Sequence, residues 1–93
     1  MHVASDVIER DGVRSEPFAP QKLRNSIYHA CLSVRDCEGS AATAADAVST
    51  IVTSWLTNKP EITSTDLRRT ASSTLTKFNP AAAHYYAQHR NIL

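Results

Sequence analysis

Four prolines and two glycines are the strong chain breakers among these 93 residues: Gly12 and Pro17 fall before the first stretch of helical periodicity, and Pro20, Gly39, Pro60 and Pro80 at the boundaries of such stretches. Pro20 suits the first turn of a helix, where its missing N–H is not needed. From there Leu23, Ile27, Ala30, Cys31 and Val34 recur at helical spacing and predict an amphipathic helix of about four turns. Gly39-Ser40 breaks that helix and offers an N-cap to a second, whose stripe is Ala45, Val48, Ile51, Val52, Trp55 and Leu56. Asn58-Lys59-Pro60 ends it. Thr63 and Ser64 are both N-cap candidates for a third helix, and Thr63 with Asp66 resembles a capping box. Leu67, Ala71, Leu75 and Phe78 form its apolar face. Asn79-Pro80 pairs an N-cap with a helix-starting proline, and a fourth helix runs to about Arg90.

Strand signals fall before the first helix and between the second and third. Asp11-Gly12, between the runs Ala4–Arg10 and Val13–Phe18, is a hairpin signal, and Pro17 suits a strand terminus. Glu61-Ile62 adds a short third strand. Alanine, serine and threonine crowd residues 40–54, and the persisting helical period there reads as close helix packing rather than disorder. The expected fold class is α+β: a small two- or three-stranded β-sheet capping a four-helix bundle, as one domain over residues 1–93.

Charge and composition exclude several classes. Ten Lys plus Arg against nine Asp plus Glu leave a net charge of +1, which argues against a nucleic-acid coat or a polybasic membrane binder. No apolar run approaches the roughly 18–20 residues that span a bilayer. The opening residues show no basic cluster followed by an apolar stretch, so no secretory signal is expected and the cytoplasm is the expected location. Cys31 and Cys37 form no CxxC pair, and no metal site is expected; Cys31 reads as a small core residue and Cys37 as a loop residue. His2, His29, His84 and His89 are scattered. The chain has no G-x-S-x-G elbow, no P-loop and no G-x-G-x-x-G, so it is not expected to be an enzyme.

The placement of the basic residues is more informative. Arg10 ends the first strand, Lys22 and Arg24 open the first helix, Arg68 and Arg69 open the third, and Arg90 closes the fourth. A hairpin folded over the helix ends would let Arg10, Lys22 and Arg68 converge. Two of these lie in first helical turns, where free N–H groups and the helix dipole favour an anion. The bland alternative is a solvated charged face.

Val7-Ile8-Glu9-Arg10-Asp11-Gly12, then Glu16-Pro17-Phe18, Lys22-Leu23, Ile27 and Ala30 resemble the opening of the ATP-cone domain. Ile62-Thr63-Ser64-Thr65-Asp66-Leu67 resembles its middle motif, and Ala83 to Arg90, with Tyr85 and Tyr86, its closing helix. The resemblance covers the chain from about Val3 to Asn91. It implies a regulatory domain of the kind found in ribonucleotide reductases and in the repressor of reductase genes, here free-standing. It implies ATP or dATP as ligand, with or without Mg2+, and occupancy that controls homo-oligomerisation or a partner protein rather than hydrolysis. By the same resemblance, Val7 and Leu23 contact the base and Glu16 lies near the base or ribose. Glu9 stands beside Arg10 in the strand motif; Arg10 and Lys22 face the phosphates, and Ser64 and Arg68 assist from the third helix. Arg90 and Asn91 stand where the closing helix supplies a cation.

The family typically carries Lys at the position of Glu9, an acidic or amide residue at Ala19, and often a basic one near Asn91. A carboxylate within ~6 Å of a triphosphate opposes it by about 1–3 kcal/mol. A cone acting as a protein-interaction module without nucleotide is therefore the alternative reading, and a small DNA-binding regulator is a third.

Overall fold

The computed structural model describes residues 6–8, 15–57, 59 and 61–88. Among them, helices α1 (Pro20–Ser33), α2 (Glu38–Leu56), α3 (Ser64–Leu75) and α4 (Pro80–Gln88) carry most of the chain. Strands β1 (Asp6–Ile8), β2 (Ser15–Pro17) and β3 (Glu61–Thr63) have three residues each.

The core is helical. Among residues 18–57 and 62–88, the buried apolar side chains come from the helices, except Phe18 and Ile62. Leu23, Ile27, Ala30 and Cys31 of α1 pack with Ala41, Ala45, Val48, Val52 and Leu56 of α2, and all of these are fully buried. The alanines allow the two helix axes to approach closely at interior packing density. Leu67, Ala71 and Leu75 of α3 and Ala82 and Tyr86 of α4 complete the cluster. Arg24 Nε meets Asp46 Oδ1 at 2.6 Å, and Ser49 Oγ donates to the Pro20 carbonyl at 3.3 Å, so α1 and α2 are also tied by polar contacts.

This corrects the expected sheet capping a four-helix bundle. Strand pairing is limited to short ladders in the order β2-β1-β3, with Val7 opposite Glu16 and, in parallel, opposite Ile62. Among the described residues these strands meet α3 and no other helix, so they do not lid the bundle. Three-residue strands present too little surface to form a layer, whereas the helices bury their apolar faces against one another.

Local chemistry sets the helix boundaries. Pro20 occupies the first turn of α1. That helix ends on Arg35 at φ 66°, in the left-handed region, with Arg35 N–H donating to Leu32 O at 3.0 Å and Asp36 N–H to Cys31 O at 3.1 Å. The second helix starts at Glu38 after Cys37, not at the predicted Gly39-Ser40 cap. Asp36 prepares that start by accepting the Cys37 N–H at 2.9 Å. It also accepts Asn79 Nδ2 at 3.1 Å, while Asn79 Oδ1 caps α4 by accepting the Ala82 N–H at 3.0 Å. One carboxylate thus ties the α1–α2 turn to the start of α4.

Candidate functional site

Helix α3 stands at the centre of the chemistry. Its N-cap is Thr63, whose Oγ1 accepts the Asp66 N–H at 3.1 Å, as the sequence predicts. Ser64 follows at the first helical position and is 6% exposed; its hydroxyl has no hydrogen-bond partner. The register of β1 against β3 sets Ile8 opposite Thr63, so β1 ends beside the start of α3. A helix N-terminus carries unsatisfied N–H groups and a partial positive charge.

One turn on from Ser64 is Arg68, partly buried, and one further turn on is Ser72, whose hydroxyl is also buried without a hydrogen-bond partner. Residues four apart share a helix face, so these three polar groups form one stripe. Arg68 and Ser72 of this stripe, with Thr65, Arg69 and Ala87, line a cleft of about 290 Å³ between α3 and α4. Behind it the phenol of Tyr86 is fully buried and hydrogen-bonded to Ser26 at 3.2 Å, and Ser26 Oγ also donates to Leu23 O at 2.7 Å. Burial pushes the Tyr86 phenol up to about 12, against the opposing pull of the Ser26 hydrogen bond and the Arg68 charge.

A second cleft, of about 440 Å³, lies on the other flank of α3. The indole of Trp55, the buried Ile62, Thr63, Asp66 and Arg69 line it. Lys59 Nζ lies 4.7 Å from the indole centroid, and Arg69 Nη1 meets Asp66 Oδ1 at 3.3 Å. Trp55 and Ile51, predicted in the core stripe of α2, are in fact exposed, as is Phe78 beyond the end of α3.

The structure brings some of the predicted site residues together. Val7 and Glu16 are cross-strand partners in β1 and β2. Ser64 and Arg68 share the stripe on α3. Lys22 is exposed on the first turn of α1. Leu23 has no exposed surface and stands in the core as found. Glu9, Arg10, Arg90 and Asn91 lie outside the described residues. Thr65, Ser72 and the Tyr86–Ser26 pair were not anticipated, although the four-residue spacing of Ser64, Arg68 and Ser72 is visible in the sequence. Among the described residues there is no group of three side chains suited to a metal ion, and no helix long and apolar enough to cross a membrane. Cys31 is buried, and burial followed by the Asp36 charge pushes its thiol up; Cys37 is exposed.

A helical fold with guanidinium and hydroxyl groups along one open cleft has the build of an anion-binding module. The family model of the ATP cone domain matches residues 5–92, nearly the whole chain, and the chain belongs to that family. ATP cones are regulatory nucleotide-binding domains, not catalytic ones, and their ligands are ATP and dATP. No curated protein matches the chain.

Proposed function

We propose that this chain is a non-catalytic regulatory domain that binds ATP or dATP and couples occupancy to self-association or to contact with a partner protein. The observation that supports it best is the Ser64 hydroxyl, buried and unpartnered on the first turn of α3, with Arg68 one turn away. A buried hydroxyl without a partner costs about 1–3 kcal/mol. A phosphate or ribose oxygen at this helix start removes that cost and meets the positive end of the helix. On this reading Ser64 and Arg68 hold one side of the nucleotide and Lys22 faces its phosphates from α1. Val7 serves the base, and Glu16, opposite Val7, serves the base or ribose. Leu23, fully buried as found, joins the base only if its packing opens on binding. Arg10, Arg90 and Asn91 supply the remaining polar contacts, and Glu9 moderates affinity by its charge.

Calorimetric titration with ATP and with dATP tests the reading. Saturable binding is expected, weakened at least tenfold in Lys22→Ala, because a charge-assisted hydrogen bond contributes about 1.5–3 kcal/mol. At nucleotide a hundredfold above Kd, the wild-type chain gains about 2.7 kcal/mol of stability, visible as a rise in Tm. Absence of both heat and thermal shift at millimolar nucleotide ends the reading. Light scattering with and without nucleotide tests the coupling, and an oligomeric state that ignores a bound nucleotide rejects it.

A further inference from the structure

We infer that Ser72 is a ligand-contacting residue, and that the α3–α4 cleft it lines receives a phosphate group of the bound nucleotide. The inference rests on the nucleotide-binding reading and extends it by one helical turn beyond Arg68. Three observations carry it. The Ser72 hydroxyl is buried and has no hydrogen-bond partner, although a helical serine ordinarily turns its hydroxyl onto the carbonyl four residues back. Nearby side chains on the same helix do so: Thr74 Oγ1 donates to Thr70 O and Thr76 Oγ1 to Ser72 O, both at 2.9 Å. Ser72 also lines a cleft of about 290 Å³ together with Arg68, Arg69 and Thr65. No carboxylate lines that cleft among the described residues.

An O–H donor one turn from Arg68, with Arg69 on the same cleft wall, suits a phosphate, whose oxygens accept from all three. The opposite wall is Ala87, which offers no competing polar group. Arg69 holds Asp66 on the far flank through an exposed contact of 3.3 Å, so its guanidinium is able to turn toward the cleft at little cost.

The test uses the whole chain and four probes: adenosine, AMP, ADP and ATP. Wild type, Ser72→Ala and Ser72→Thr are titrated with each. Ser72→Ala is expected to weaken ATP about tenfold, the factor that one hydrogen bond to a charged group supplies, and to leave adenosine unchanged. Ser72→Thr keeps a hydroxyl and is expected to retain ATP affinity within about threefold, the spread that context gives such effects. Without nucleotide, Ser72→Ala is expected to melt at or above the wild-type temperature, because it deletes an unsatisfied buried group and adds helix propensity. Equal ATP affinity in wild type and Ser72→Ala overturns the inference, as does an equal loss for adenosine or a lowered Tm without ligand. A wild-type chain that binds no nucleotide at all fails the functional reading itself, so the two failures are told apart by the wild-type titration.

Discussion

The two clefts that flank α3 share Arg69 and little else. On the α2 side the polar groups answer one another: Lys59 lies over Trp55, Asp66 meets Arg69, and Thr63 takes the Asp66 N–H. On the α4 side the cleft is lined by Ser72, whose buried hydroxyl has nothing to bond, and Ser64, two turns back on the same stripe, has a buried hydroxyl in the same state. The larger cleft therefore has most of its charged groups engaged with one another, whereas the smaller one has a buried hydroxyl with no partner on its wall. Volume alone favours the α2-side cleft; the unsatisfied buried hydroxyls favour the other flank for the proposed function.

The largest expected effect is on the element both clefts share. Leu67 is 2% exposed and anchors α3 in the core. Leu67→Ala is expected to cost about 2–5 kcal/mol in chemical denaturation. A loss below about 1 kcal/mol means that α3 is not held by the core, and the contrast between its flanks loses its frame.

Next in size is an alkaline effect behind the open cleft. The Tyr86 phenol is pushed up to about 12, so the folded protein holds this proton more tightly than the unfolded chain does. The resulting stabilisation is complete below pH ~10, the unfolded value, and is lost as pH rises through about 12. It amounts to about 2–3 kcal/mol. Tyr86→Phe is expected to flatten the fall in stability over this range; an unchanged slope places the titration elsewhere.

The smallest effect sharpens the contrast from the satisfied side. Asp66→Asn removes an exposed contact between residues three apart and is expected to cost about 0.2–0.5 kcal/mol. It also frees Arg69 toward the α4 side, so ATP affinity is expected to hold or rise slightly in calorimetry. A loss of ATP affinity shows instead that Asp66 positions Arg69 for the ligand.

Helix signals were legible where one residue decides them locally. Thr63 caps α3, Asn79 and Pro80 start α4, and Pro20 opens α1, all as read from the chain. Other boundaries escaped because the deciding group is distant or atypical. Arg35, not a glycine, takes the left-handed turn after α1, and Asp36 reaches both Cys37 and Asn79. Ile51 and Trp55 repeat with the core period of α2, yet nothing in a periodic pattern states whether a neighbouring helix covers that edge. The same reasoning misjudged the strands: their residue types suit pairing, but three-residue ladders against α3 do not make a capping layer.

The chain's own order of residues settled the four helices and most of their buried faces, along with the motif that marks the family. Caps, prolines and periodicity act within a turn or two of backbone, so they are written locally. Tertiary structure alone decided which hydroxyls on α3 are buried and left without partners, and that a cleft opens on each flank of that helix. Burial and hydrogen-bond satisfaction belong to whatever packs against a residue, and for Ser64 and Ser72 those neighbours come from elsewhere in the fold.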